Sequence, residues 1–211
     1  MKKKRVIIGS IILVILCVWI IVVVHVNTTA EKQQTQVYKV GDQVYYGNNY
    51  YDYSSEIING YSLKVLSCKV YEYDEYLKLM GIADAVVGFH PKYVVDVEIT
   101  FYNEDSSGGK YGVSLIPTYL AAADSRMAVS MELFGAIYPQ LGSSPFGFKL
   151  QPNSNMTLHF PYQMEFTSYW FVGDERHFLE NTEFYLNATQ YPVKQVIQMK
   201  NGSSAAENPE Q

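Results

Sequence analysis

The sequence has few cysteines and few histidines, which limits the covalent and metal chemistry available to it. Its 211 residues include 2 cysteines and 4 histidines. Because Cys17 lies in a long apolar run, Cys68 is the single thiol of everything that follows, and no disulfide can form within that part. The alternation of Leu66, Cys68 and Val70 favours a buried, unreactive thiol over a nucleophile.

Sequence motifs of common catalytic and metal sites are also missing. The chain contains no HExxH or CxxC spacing and no GxSxG turn. His90, His159 and His177 are far apart, and we interpret each as a surface or turn residue. Acidic pairs such as Glu104 and Asp105 lack the spacing of a calcium loop. We therefore expect no catalytic residue, no metal, no cofactor and no enzymatic activity.

Acidic residues are missing from the start of the chain. Residues 1–30 contain the cations Lys2, Lys3, Lys4 and Arg5 and no acid, so the remainder is more acidic than the net charge of -5 suggests. An acidic domain repels phosphates, which argues against a nucleic-acid ligand and favours a peptide or protein. A composition that is 48% hydrophobic and 15% aromatic excludes a disordered chain.

Residues 6–26, from Val6 to Val26, form a long uncharged apolar run. At about 1.5 Å per residue, a helix of this length spans roughly the 30 Å hydrocarbon core of a bilayer. The run is longer than the apolar region of a cleavable signal peptide, roughly 7 to 15 residues, so an uncleaved anchor is predicted. The basic stub at residues 1–5 predicts a single-pass protein of the cell membrane with a cytoplasmic N-terminus and an extracytoplasmic C-terminal domain.

Beyond the anchor, the sequence predicts a polar linker at residues 27–36, a folded domain at 37–200 and a disordered tail at 201–211. The dominant period is two. Tyr93 to Phe101 alternate between an apolar and a largely polar face, as in a half-buried strand. About seven to nine such strands with scarce helix indicate an all-β fold, an immunoglobulin-like antiparallel β-sandwich after one transmembrane helix, with a small barrel as the alternative.

Several segments carry more specific predictions. Met127, Val129, Met131 and Leu133 alternate as in a strand. Between Tyr61 and Tyr73 the apolar residues change parity, which predicts either a bulge near Val65 or a strand covered on both faces. Short helices are expected after the caps Asp74 and Asp174.

Tyrosine is the one residue type in clear excess, with 19 in the chain. The candidate ligand contacts are five that lie close together: Tyr45, Tyr46, Tyr50, Tyr51 and Tyr53. Tyrosine offers a large contact area at low rotamer entropy and a hydroxyl that can stay in water, which suits recognition of peptides or sugars. The alternative is that these rings pack on the sheet or line its edge. Since a strand sends neighbours to opposite faces, each adjacent pair exposes at least one ring unless both faces are covered.

Four stretches carry a resemblance to a known family: Val37 to Tyr46, Lys92 to Asn103, Leu150 to Tyr162 and Phe184 to Lys200. Together with the basic start and the apolar run, they resemble an uncharacterised family of small single-pass surface proteins of Gram-positive bacteria. The outer domains of that family look like immunoglobulin-like, telokin-like sandwiches. The resemblance implies an envelope location and a sandwich fold, and it supplies no catalytic residue.

These observations favour a membrane-anchored extracytoplasmic module that binds a protein, a peptide or an envelope component. The alternative is a structural or accessory subunit of a membrane complex, in which the anchor carries the interaction. An envelope hydrolase is the third hypothesis, and it would require acids or histidines that converge in a cleft. Ligand identity and oligomeric state are open at this level.

Overall fold

A computed structural model describes residues 2–29, 33–83, 88, 90–104, 112–114, 118–122, 125–141, 147–164 and 173–205. The chain divides into two compact units, residues 1–33 and 34–211. The first consists of helix α1, Lys2–Thr29, and its stretch Ile7–Thr29 is long and apolar enough to cross a membrane. The predicted N-terminal apolar helix is therefore confirmed, and an apolar helix at this position is either a membrane anchor or a signal sequence. The helix continues three residues past Val26, where Thr28 and Thr29 donate hydrogen bonds to helix carbonyls.

The second unit is mostly β-structure, as the sequence predicts, and its described residues also form three short α-helices. The strands are β1 Thr35–Lys39, β2 Gln43–Tyr45, β3 Tyr61–Glu72, β4 Tyr93–Asn103, β5 Val113–Ser114, β6 Leu120–Ala122, β7 Ser125–Val129, β8 Gly147–Phe148, β9 Ser154–Gln163, β10 Glu183–Thr189, β11 Lys194–Lys200 and β12 Ser203–Ser204. The helices are α2 Tyr73–Leu79, α3 Met131–Ile137 and α4 Glu175–Asn181. Single 3-10 turns lie at Ser54–Glu56 and Pro139–Leu141.

Ten of these strands form one sheet in the order β1-β11-β10-β6-β7-β9-β4-β3-β12, with β2 also paired to β3. Strands β5 and β8 form a separate ribbon. Every pair in the sheet is antiparallel except β1 with β11, which are parallel. The sheet is curled: β1 leads directly into β2 at the opposite end of the strand order, and β11 leads directly into β12 there. The immunoglobulin-like topology is a finer assignment that stays a prediction.

In the central strand β4, the alternation of apolar residues correctly predicted the burial of one face but not that of the other. Its odd residues, such as Val97 and Phe101, are buried in the main core as predicted. Its other face was predicted to be largely polar and solvated, yet Val94 and Asp96 are buried there as well. Helices α2 and α3 form a second apolar cluster with Val94 on that face. The half-buried strand is therefore a strand covered on both sides over part of its length.

An aromatic cluster joins the main core to α3. The Phe160 ring lies 5.2 Å from the Phe134 ring of α3 and 5.9 Å from the Phe101 ring of β4, measured between centroids. All three side chains are fully buried. Rings at these separations gain stabilisation beyond the area that they bury.

The prediction of a strand through Met131 and Leu133 is wrong. Strand β7 ends at Val129, and Ser130 caps helix α3, its hydroxyl accepting a hydrogen bond from the Leu133 amide at 3.5 Å. The helix after Asp174 is confirmed, since that carboxylate accepts from the amides of Arg176 and His177. The helix expected after the cap Asp74 instead begins two residues earlier, at Tyr73, and its N-cap is Glu72.

The structure explains the change of parity in β3 and orders the residues that follow β11. A bulge between Val65 and Ser67 confirms the first of the two explanations for the change of parity. The domain begins at β1, inside the predicted linker. The predicted disordered tail is wrong for residues 201–205, because β12 pairs with β3 and Asn201 Oδ1 accepts a hydrogen bond from the Val70 amide at 2.9 Å. Residues 206–211 lie outside the described residues.

Candidate functional site

A cavity of about 220 Å³ opens beside the segment that links β2 to β3. Four tyrosines line it: Tyr46, Tyr50, Tyr51 and Tyr53. Hydroxyl groups come from Ser55, Ser114, Thr118 and Thr189. Apolar surface comes from Ile58, Val113 and Ala188. The cavity thus combines one continuous segment with residues from β5 and from the end of β10, and we call it the tyrosine cavity.

Hydrogen bonds to backbone amides hold the segment that links β2 to β3, residues 46–60, in place, and we call it the tyrosine-rich segment. The Tyr46 amide donates to the Tyr61 carbonyl at 3.1 Å, which fixes one end of the segment on β3. Tyr50 and Tyr191 exchange two backbone hydrogen bonds, so the middle of the segment is attached to the connection between β10 and β11. The Glu56 carboxylate accepts from the amides of Tyr51 and Asp52 at 3.0 and 3.1 Å. The segment is therefore an ordered wall of the cavity.

The structure brings together four of the five predicted tyrosines. Tyr46 is 6% exposed and Tyr53 is 69% exposed, so the set extends from the core to the surface. Tyr45 does not line the cavity: it is exposed, and its carbonyl accepts a hydrogen bond from Gln195. Strand alternation separates Tyr45 from Tyr46, as the sequence predicts for adjacent residues. Tyr50 and Tyr51 lie outside any strand and both reach the cavity.

The chemistry of this cavity is neutral. Among the described residues that line it, Glu56 alone carries a charge, and its carboxylate already accepts hydrogen bonds from the two amides. Burial raises the pKa of the Tyr46 hydroxyl, while burial and the neighbouring Tyr119 raise the pKa of Tyr51 to about 12. These two phenols stay protonated at physiological pH. The side chains of this lining can stack on a ligand, exclude water and form hydrogen bonds, and none of those that the structure describes is an activated nucleophile.

Sequence reasoning missed two residues beside the cavity. The Arg126 guanidinium carbon lies 4.2 Å from the centroid of the Tyr119 ring, and that ring stands edge to face with Tyr51 at 6.2 Å. Tyr119 directly precedes β6 and Arg126 belongs to β7, which pairs with β6. Their proximity to Tyr51 depends on long-range pairing, for which the local sequence gives no signal.

A second polar cluster lies on the helix-covered side of β4. Asp96, 3% exposed, accepts a hydrogen bond from the Tyr76 hydroxyl at 3.0 Å and lies 2.8 Å from His159 Nδ1. The Tyr138 hydroxyl accepts from the His159 amide at 2.6 Å. His159 was predicted to be a surface or turn residue, but it lies in β9 with its side chain 34% exposed. This cluster joins α2 to the sheet through a buried carboxylate.

The Asp96 contact makes stability depend on pH in a defined direction. The hydrogen bond to Asp96 raises the pKa of His159 above its ordinary value of 6.5, against the opposing effect of burial. A raised folded-state pKa stabilises the fold fully below the unfolded value and less as pH rises through the folded one. We therefore expect the wild type to lose stability relative to His159→Gln as pH increases from 5.5 to 8.5.

Urea unfolding of the full chain in detergent micelles at several pH values measures this difference. His177→Gln replaces an exposed histidine of helix α4, so it is the matched control and should follow the wild type. A constant difference between wild type and His159→Gln across the range would contradict the assignment.

Cys68, His90 and His177 do not line the tyrosine cavity. Cys68 is fully buried, as predicted, and burial raises the pKa of its thiol, which keeps it protonated and unreactive. His90 contacts the Tyr73 ring, and His177 is exposed in α4. Within the described ranges, no three histidine, cysteine or acidic side chains are grouped so as to hold a metal ion.

Comparisons with known proteins give one match. No curated protein and no solved structure matches the chain. The model of a family described as a domain of unknown function, DUF5028, matches residues 35–195. The match starts at the first residue of β1 and ends in β11, so it includes the tyrosine-rich segment, Arg126 and the cluster around Asp96. The chain therefore belongs to the DUF5028 family.

Proposed function

We propose that this protein is a non-enzymatic, membrane-held module whose outer domain binds a peptide segment of a protein partner in the tyrosine cavity. One observation carries the proposal: four closely spaced tyrosines converge with residues from two distant strands around a cavity of about 220 Å³. Convergence from distant parts of the chain on a partly open, aromatic cavity is typical of binding sites.

The size of the cavity favours a single inserted group. Sites for drug-sized molecules occupy roughly 300–1,000 Å³, so the tyrosine cavity suits one large side chain or one ring. Tyr50, Tyr51 and Tyr53 are at least partly exposed, whereas Tyr46 lies deeper. A bound side chain would exchange water for aromatic contact, while hydroxyls at the margin satisfy a nearby peptide backbone.

Helix α1 supports the membrane part of this proposal. Its apolar stretch is long enough to span a bilayer, and the basic residues Lys2 to Arg5 precede it. In our proposal the helix stays attached as an anchor with its N-terminus in the cytoplasm, and the family domain faces outward. The acidic character of that domain favours peptides with neutral or cationic bodies.

A peptide-binding experiment tests the site. The full chain in detergent micelles is applied to an array of immobilised pentapeptides that differ at one position. We expect peptides with a large apolar or aromatic residue to be retained, and the double variant Tyr50→Ala, Tyr51→Ala to bind them at least tenfold more weakly. The physical reason is loss of two partly exposed rings that form the cavity wall.

Tyr45→Ala is the control, because it removes an exposed tyrosine that directly precedes the tyrosine-rich segment and does not line the cavity. Exchanging Val6 to Val26 for an unrelated apolar span separates the module from an accessory subunit that acts through its anchor. Binding should survive that exchange. Equal retention of all peptides by wild type and the double variant would refute the site.

A further inference from the structure

Arg126 is an exposed cation held beside the tyrosine cavity, and its contacts show how its charge can be used. Its side chain forms no ion pair with any described acid. Its guanidinium instead lies over the Tyr119 ring, which contacts Tyr51 in the cavity wall. A guanidinium stacked through its face keeps the N–H groups of its edge available as donors. From this geometry we propose that Arg126 binds the terminal carboxylate of a peptide whose last side chain occupies the tyrosine cavity.

Pairing of β6 with β7 fixes the position of Arg126. Arg126 lies opposite Ala121, whose small side chain leaves room for the long arginine to cross toward Tyr119. The adjacent Met127 lies opposite Leu120, and both are fully buried in the core. Since the neighbouring residue is fixed in the core, strand alternation directs Arg126 outward. Arg126 therefore projects outward from a paired strand whose next residue is fixed in the core.

The charge of Arg126 reaches the wall of the cavity. The pKa of Tyr51 is raised to about 12 by burial and by Tyr119, and Arg126 is the group that acts on it in the opposite direction. Asp52 also acts on Tyr51, with a smaller effect than Arg126. A ligand group near Tyr51 would therefore meet a positive charge despite the acidity of the domain.

A single carboxylate fits this arrangement better than a polyanion. The planar guanidinium fork matches a carboxylate through two parallel hydrogen bonds. Long-range repulsion by the acidic domain is screened beyond about 8 Å at physiological salt, whereas a direct contact is not. A polymer of phosphates would carry many charges into the same repulsive field. A peptide terminus carries one carboxylate next to one side chain. The carboxylate would bind Arg126 and the side chain would enter the tyrosine cavity, which is separated from Arg126 by the Tyr119 ring.

The inference rests on the proposed function, and paired probes separate the two. The probes are pentapeptides of four glycines followed by phenylalanine, leucine or tryptophan, each made with a free carboxylate and with a terminal amide. Calorimetric titration of the full chain in micelles measures their affinities. We expect amidation to weaken binding at least tenfold in the wild type, and Arg126→Gln to reduce the free acids to the level of the amides without affecting the amides.

Arg126→Lys keeps the charge but loses the planar fork, so it should give an intermediate affinity for the free acids. Arg176→Gln is the matched control: this exposed arginine pairs with Glu72 and Glu180, and its loss should change neither probe. Equal binding of acid and amide, with both weakened by Tyr50→Ala, Tyr51→Ala, would overturn the role of Arg126 and leave the cavity as the site. Absence of binding by every probe would overturn the peptide proposal itself.

Discussion

Replacing Phe160 with alanine should lower the free energy of unfolding by about 3–5 kcal/mol, the range for removing a buried phenylalanine. Phe160 is fully buried in the core, with Phe101 and Phe134 as ring neighbours. Its loss opens a cavity between β9, β4 and α3. Because small domains are stable by only about 5–15 kcal/mol, this substitution removes a large part of the total.

Urea unfolding of the full chain in detergent micelles, followed by tyrosine fluorescence, measures the change. Tyr53→Ala is the control, since it removes a ring that is 69% exposed and should change stability little. A loss below about 1 kcal/mol for Phe160→Ala would mean that the core around α3 is not packed as described, since substitutions of this kind cost about 3–5 kcal/mol in packed cores.

Asp96→Ala should be the next most damaging substitution, with a loss of about 3 kcal/mol. Removing one partner of a buried charged pair costs about 3–5 kcal/mol, and the 34% exposure of the His159 side chain places this case at the low end. The Tyr76 hydroxyl also loses its acceptor in a buried site. The substitution breaks both contacts, because the Asp96 carboxylate binds Tyr76 of α2 and His159 of β9.

Two further variants identify the cause of the Asp96 effect. Asp96→Asn keeps the volume and an acceptor for Tyr76, so it should be less destabilising than alanine. Asp52→Ala removes an exposed carboxylate and should be close to neutral. If Asp96→Ala unfolded at the same urea concentration as the wild type, the carboxylate would not link α2 to β9.

Strand alternation accounts for what the sequence could predict of the fold. Val97, Ile99 and Phe101 recur at every second position, and the structure buries all of them on one face. The bulge at Val65 was visible because a single extra residue moves the apolar side chains to the other parity. Such signals are local, since they depend on the direction of neighbouring side chains.

The alternation of apolar residues alone led to two wrong assignments, one of a strand and one of a solvated face. Met131 and Leu133 continue the alternation of β7, although they lie in a helix capped by Ser130. Ser130 followed by Glu132 in the first turn was the available cue for a helix start. Asp96 read as solvated because nothing near it in sequence shows that α2 and α3 cover that face of β4.

The sequence predicted only part of the candidate site, because only its tyrosines are close together in the chain. The tyrosine doublets stand out because they are contiguous, whereas Val113, Thr189 and Arg126 reach the site only through folding. The structure also divides the tyrosines by role. Tyr46 belongs to the main core, so its replacement by alanine would test stability and could not report on binding alone.

The parallel pairing of β1 with β11 has a mechanical consequence. In the tethered arrangement that we propose, a pull on a bound ligand is resisted at the start of β1, the strand that follows the anchor unit. Thr35 at the start of β1 pairs with Lys194 at the start of β11, and Thr189 at the end of β10 pairs with Gln195, so the tethered end of β1 and the cavity end of β10 lie at the same end of these strands. The load passes through β11 to β10, whose last residues Ala188 and Thr189 line the tyrosine cavity. A pull between the tether and a bound ligand would therefore load the hydrogen bonds at this end of the sheet first, starting where Thr35 pairs with Lys194.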